Sequence, residues 1–313
     1  MPDASNSKNS TPKSDRTLNR REFIGVSLAG AVAIFSPWKR IFASSVAETT
    51  LVIVRGGTAA EAIQAAFKAL GVLNRFDFRG KTAVVKPNIG WDRTPEQAAN
   101  TDPELVGATV GILKNSGAHV QVFDYTCNAA QRCYSRSGIE KAARDAGAEV
   151  SFVNAHKFDE MTLPNGHRVN SWLIYRDYVQ ADLRINLPVL KHHSLAGLTM
   201  GWKNLMGVMG GNRSSLHNGF DQKIVDIGGA ILPEITVLDA RRVLLRNGPT
   251  GGSLDDVKIM NTLIAGYNPV EVDAEGARLF GMDPEDLGYL REARHRGFGE
   301  FTRPPGFQEI HLN

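Results

Sequence analysis

From residue 48 onward, short apolar runs alternate with amphipathic stretches of helix length. That alternation predicts an α/β fold: a doubly wound, mainly parallel sheet with helices on both faces and a small hairpin insertion. Two further observations support it. The runs are closed by Gly or Pro, as at Pro87 and Pro188, and the helical stretches open on capping residues, as at Thr58 and Thr101-Asp102-Pro103-Glu104.

Taken in order, Leu51–Arg55 reads as a strand, Gly56-Gly57 as a turn and Thr58 as the N-cap of a helix through Leu70. Thr82–Lys86 is a second strand. Asp102 before Pro103, with Glu104 in the first turn, opens a helix that runs to Lys114 and stops at Gly117. His119–Asp124 is a strand, Ser137–Ala146 a helix closed by Gly147, and Glu149–Val153 a strand. Leu163–His167 holds a Pro-Asn-Gly turn and predicts the hairpin insertion. Leu183–Leu187, Ile235–Asp239 and Thr262–Ala265 complete the strands. Val270–Phe280 and Pro284–His295 are the last helices, the second capped by Asp283. Residues 48–300 thus form one α/β domain, and residues 301–313 read as a loose tail.

The chain of 313 residues is 42% apolar and 22% charged, ordinary for a globular protein. Its net charge of +3 is misleading, because residues 1–47 contribute +4 and leave −1 for the rest. Such a balance gives no reason to expect a nucleic-acid footprint. The leader resembles a twin-arginine export signal. Asn19-Arg20-Arg21-Glu22-Phe23-Ile24 precedes a short apolar core, Ile24–Phe35, and Ser45-Val46-Ala47 offers a small-x-small cleavage pattern before Glu48. The core is too short to span a bilayer comfortably, although Lys39 and Arg40 leave an uncleaved anchor as the alternative. The expectation is an extracytoplasmic or periplasmic protein whose first partner is the twin-arginine translocation machinery. Cys127 and Cys133 are too few for a four-thiolate cluster, so no iron–sulfur cluster is expected from this chain. Their spacing fits neither a redox pair nor a zinc half-site; a local disulfide or two free thiols remain open.

Chemistry-bearing residues gather in Leu187–His217. Lys191, His192 and His193 follow an apolar run. Trp202, Leu205, Met206 and Met209 then recur with helical spacing, leaving Lys203 and Asn204 off the apolar stripe. Strand ends elsewhere supply Lys86, Asn88, Asp124 and Asp239, and in a parallel sheet those ends share one edge. The expected site has Lys191, His193 and Lys203 as catalytic groups. Lys86, Asn88, Asn204, Asp239 and Gly248 are expected as ligand contacts. Asp124, His193 and His217 form an N,N,O set suited to a divalent metal. Helix N–H groups near Thr199 would add a positive dipole end. Gly56-Gly57-Thr58 and the Asn247–Gly252 loop could each cradle an anion, or be plain turns. The signatures of a P-loop, a GxSxG elbow, an HExxH helix and a complete GxGxxG are absent.

The runs VVKPNIG, TDPELVGATVGILKNSGA, INLPVLKHHSLAGLTMGWKNLMGVM, ITVLDA, NGPTGG and AGYNPVEVDAEGARLFGMDP are similar, in the same order, to the domain-of-unknown-function family 362. The Lys-x-His and Lys-Asn block is the most specific part of the resemblance. The family usually has Lys-Thr-His where this chain has Lys191-His192-His193, which makes His193 the matching histidine. Some relatives carry a ferredoxin-type module, implying electron transfer in those; this chain lacks the module and its cysteines. Three functions therefore compete. One is an exported enzyme acting on a small anionic ligand, with or without a metal. Another is a redox partner subunit of an exported iron–sulfur oxidoreductase. The third is a non-catalytic ligand-binding or assembly protein.

Overall fold

The computed structural model describes residues 48–313; the leader expected to be a twin-arginine signal, with its expected cleavage pattern, lies outside the described residues. The strands are β1 Leu51–Arg55, β2 Thr82–Pro87, β3 His119–Val122, β4 Glu149–Val150, β5 Phe158–Thr162 and β6 Ser171–Tyr175. They continue with β7 Leu183–Leu187, β8 Val189–His193, β9 Gly197–Thr199, β10 Ile235–Leu244, β11 Val257–Gly266 and β12 Gln308–His311. The helices are α1 Ala59–Ala69, α2 Val72–Arg75, α3 Pro103–Asn115, α4 Ala130–Arg136 and α5 Ile139–Asp145. After them come α6 Arg176–Gln180, α7 Gly201–Asn204, α8 Phe220–Gly228, α9 Pro269–Phe280 and α10 Gly288–His295.

The main sheet runs in the order β12-β1-β11-β10-β7-β2-β3-β4. Only β11 is antiparallel to its neighbours along this path, so the sheet is mixed but mostly parallel, as expected. Side chains alternate between two cores, one on each face. Leu51, Ile53, Val84, Leu238 and Ile264 enter one core, together with apolar residues of α8, α9 and α10. Val52, Val54, Ala83, Val85, Val237 and Leu263 enter the other, with residues of α1, α3 and α5. The chain winds from β2 to β3 and β4 on one side, then crosses back to place β7 on the opposite side of β2. The C-terminal ends of β2 and β7 therefore flank a topological switch point, where an open α/β sheet leaves a crevice.

Several boundaries depart from expectation. Lys191, His192 and His193 are not in a loop after a strand but in β8, which pairs with β10 and forms a hairpin with β9. The helix expected from Thr199 onward begins at Gly201 and lasts one turn before tightening into a 3₁₀ segment, Leu205–Val208. The Ser137–Ala146 helix begins at Ile139, because Gly138 sits at φ +74° between α4 and α5. Asp239 does not end its strand: β10 continues past a bulge to Leu244, held by the long antiparallel ladder with β11. The insertion is the β5–β6 hairpin, with Leu163–His167 in its connection. Nor is the tail loose, since Gln308–His311 pairs in parallel with β1. Thr58 caps α1 as expected, in a reciprocal capping box with Glu61, whereas Asp283 caps only a 3₁₀ turn, Pro284–Asp286, and α10 begins separately at Gly288. Among the described residues no helix is long and apolar enough to cross a membrane.

Candidate functional site

Lys86, near the end of β2, is fully buried, and its Nζ donates to Asp124 Oδ1 at 2.7 Å and to the Pro87 carbonyl at 3.0 Å. The second Asp124 oxygen accepts from the Ile89 N–H at 2.6 Å. A Cβ on Gly207 would overlap the Asp124 carboxylate and crowd Lys86 Nζ, so the backbone after α7 closes over this ion pair. Burial pushes Lys86 down and Asp124 pulls it back.

One residue beyond β2, Asn88 starts a chain of amides. Lys191 Nζ donates to Asn88 Oδ1 at 3.2 Å and to the Ala99 carbonyl. Asn88 Nδ2 donates to Asn204 Oδ1 at 3.0 Å, Asn204 Nδ2 to Asn186 Oδ1 at 2.8 Å, and Asn186 Nδ2 to the Gly201 carbonyl at 2.9 Å. Each amide accepts on one side and donates on the other, which fixes all three orientations and ties β2, β7 and α7 together. Asp273, buried on α9, caps α7 by accepting from the Gly201 and Trp202 N–H groups at 2.7 and 3.0 Å. Burial pushes its carboxyl up to about 7 against the pull of those two bonds. The helix N–H groups expected to face a ligand are consumed by this cap.

Lys191 is 1% exposed. Burial comes first, and Lys203 second, in pulling its amine down to about 7. Lys203 is half-buried; its Nζ contacts the Met206 sulfur at 3.4 Å and lies 5.4 Å from the Phe220 ring centre. Burial pulls it down to about 8, Cys127 pulls it back up, and Arg213 pushes it further down. His193 Nδ1 accepts from the Leu195 and Ala196 N–H groups, both at 3.2 Å. A neutral ring accepting at Nδ1 carries its proton on Nε2 and so presents a donor there. Burial, then Lys203, Lys191, His217 and His192, push His193 down to about 3, so the ring is neutral at physiological pH. The structure thus brings Lys191, Lys203, His193 and His217 into one electrostatic neighbourhood, with His217 exposed at its rim.

The metal set does not come together as one. Among the described residues no group of three His, Cys, Asp or Glu is placed to hold a metal ion. Both Asp124 oxygens are engaged by Lys86 and Ile89, and His193 offers an N–H where a metal takes a lone pair. Asp239 also stands apart from the lysines. It accepts from the N–H groups of Asp102 and Arg241, beside an Asp102–Arg242 ion pair, and burial with Asp102 pushes it up to about 6. Gly248 packs on β8: its N–H donates to His192 Nδ1 at 3.1 Å, and a Cβ would overlap the His192 carbonyl. The rest of that loop is tied by Arg93 and Gln97 to the carbonyls of Thr250, Gly251 and Gly252, and the Gly251 N–H is taken by the Asn247 carbonyl. At Gly56-Gly57 the Gly56 N–H is taken by the Asn261 carbonyl and the Thr58 N–H by Glu61. Cys127 and Cys133 are both free thiols, the first exposed and the second buried.

Sequence reasoning missed Asn186, Asp273 and Arg213. Asn186 left a signal, a buried-strand amide between Ile185 and Leu187 near the end of β7. Arg213 stacks over Tyr125 at 4.0 Å and donates to the carbonyls of Tyr125 and Thr126, beside the Asp124 strand end.

A family model described as a domain of unknown function (DUF362) matches residues 83–278. The chain is 24% identical over 239 residues to a thylakoid-associated protein of Synechocystis sp., which covers 74% of this chain and 73% of that protein. Among solved structures it is similar to the lactate racemase apoprotein of Thermoanaerobacterium thermosaccharolyticum, with TM-score 0.45 and 13% identity over 74% of this chain and 57% of that one. A Thermotoga maritima protein gives TM-score 0.47 and 12% identity over 72% and 60%. The chain spans less than two thirds of the length of either solved structure.

Proposed function

The chain belongs to the domain-of-unknown-function family 362, and from that premise we propose that it is an exported enzyme binding a small anionic substrate at the β2/β7 switch point. One observation carries this reading. Lys191 and Lys203 act electrostatically on one another and on His193, and neither has a carboxylate partner among the described ion pairs of lysine: Lys81–Asp182, Lys86–Asp124, Lys141–Asp145 and Lys157–Asp177. Buried lysines ordinarily have partners, and two amines without an acid leave a positive site that an anion completes. Lys191 is held by two neutral oxygens, with no third hydrogen-bond partner among the described residues, and an amine so placed can take or give a proton. His193 and Lys203 then hold the anion by a charge-assisted donor set.

Titration of the full chain with inorganic phosphate and with acetate, followed by NMR of labelled histidine and lysine side chains, tests the reading. Saturable shifts of His193 and Lys203, absent in Lys203→Ala, support it; shifts spread evenly over surface lysines would refute it. The export part of the proposal is supported by the twin-arginine pattern of the leader alone. Arg20→Lys with Arg21→Lys should leave folded protein in the cytoplasm, and undiminished export of that variant would remove the twin-arginine assignment.

A further inference from the structure

Resting on that reading, we propose that Lys203 is an imine-forming amine and that the anion accepted by the cleft is a small oxo acid, carrying an aldehyde or ketone carbonyl beside its carboxylate. Lys203 has neither a carboxylate nor a carbonyl partner among the described residues; its amine meets a thioether, a weak acceptor, and the face of an aromatic ring. An ammonium set against such a wall, with a second amine beside it, loses the solvation that ordinarily keeps it charged. That arrangement is a recognised route to a nucleophilic lysine near neutral pH. Burial, with Arg213 behind it, pulls Lys203 down to about 8. Lys203 is half-buried whereas Lys191 is closed off, so Lys203 is the amine a ligand reaches first. The Nε2–H of His193 lies in the same neighbourhood and suits the carboxylate of the oxo acid.

The step balances without an oxidant or a reductant. The Lys203 Nζ lone pair forms a bond to the carbonyl carbon as the carbon–oxygen π bond breaks onto oxygen. Lys191 gives a proton to that oxygen and recovers one from Nζ, which yields a carbinolamine. A second proton from Lys191 lets the oxygen leave as water while the carbon–nitrogen double bond forms, and the last Nζ proton returns to Lys191. Amine and carbonyl have become imine and water, and Lys191 is restored.

The test uses glyoxylate as probe, with sodium cyanoborohydride to trap the imine, and peptide mass spectrometry to locate it. At pH 7 the adduct on Lys203 should form roughly tenfold or more faster than on Lys141, an exposed lysine that serves as the internal control. Lys203→Arg should abolish that adduct, and Lys191→Met should slow its formation. Equal rates at Lys203 and Lys141, with phosphate binding intact, would overturn the imine and leave the anion site standing. Failure of both phosphate and glyoxylate to bind would overturn the anion site and the imine together. The rate comparison needs only the natural chain, so a variant that fails to fold does not remove the test.

Discussion

Lys86 and Lys191 are both shielded from water at the same end of the sheet, yet they are treated in opposite ways. Lys86 meets a carboxylate at 2.7 Å that is itself fixed by a backbone N–H. Lys191 meets only an amide oxygen and a peptide carbonyl, and the charge that acts on it most strongly, Lys203, is of its own kind. The first arrangement locks a strand end in place. The second holds a charge that the fold does not neutralise, and that difference separates a structural lysine from a chemical one.

The sharpest way to break this comparison is to remove the partner of the first lysine. Asp124→Asn leaves Lys86 buried beside a neutral amide, which should cost about 3–5 kcal/mol. For a domain of this size the Tm should fall by roughly ten degrees. A loss below about 1 kcal/mol in thermal or urea unfolding would mean that Lys86 is no more structural than Lys191.

A smaller effect is expected at the cap that sets the second region. Asp273→Ala would leave the Gly201 and Trp202 N–H groups buried without an acceptor, destabilising by about 1–3 kcal/mol. Because α7 carries Lys203 and Asn204, anion affinity should fall along with stability. Urea unfolding read beside phosphate titration checks both. Retained affinity in a destabilised variant would separate the cap from the site.

Lys191→Met should behave unlike either. Removing an amine that the fold leaves unneutralised should keep stability at pH 7 unchanged or raise it by about 1 kcal/mol, while phosphate binding weakens. The pH profile supplies the sign. Lys191 is held near 7 in the fold and lies near 10.4 when unfolded, so between those values the unfolded chain binds more protons. Stability of the natural protein should therefore rise as pH goes from about 7 toward 10, and that rise should be shallower in Lys191→Met. Thermal melts across this range measure it; an identical slope in the two proteins would place Lys191 among ordinary solvated lysines.

How much of this was legible in the sequence follows from which forces are local. The strand runs, the Thr58 N-cap of α1 and the Asp102 cap of α3 depend on neighbours in sequence, and they read correctly. That Lys86, Asp124 and Lys191 reach the same region was accessible, because parallel strands deliver their ends to one edge, but Lys86 was read as a ligand contact and Asp124 as a metal ligand, not as partners of one another. The errors lie where distant contacts override local pattern. The helical spacing of Trp202 to Met209 gave way to one turn plus a 3₁₀ segment because Asp273 fixes where it starts and Asp124 demands Gly207 close by. Asp239 looked like a strand end because pairing with β11, dozens of residues away, carries β10 onward. The metal set failed for a reason that residue types cannot show: which lone pairs are already committed to backbone N–H groups.

The smallest expected effect concerns His217, and it tests where the second region ends. His217 is exposed at the end of a 3₁₀ segment, Arg213–His217, with no side-chain hydrogen bond among those described. His217→Ala should change stability by no more than about 0.5 kcal/mol, the range of ordinary surface substitutions. It is close enough to His193 to push that ring toward neutrality, so it belongs to the field of the cleft although not to its wall. A group that acts on an anion only through that partly screened field should change phosphate affinity a few-fold, far less than the loss expected for Lys203→Ala. The effect should also fade as salt is raised, which distinguishes action through the field from direct contact. Phosphate titrations at low and high ionic strength decide the matter. A loss as large as that of Lys203→Ala, and insensitive to salt, would move His217 from the rim into the site.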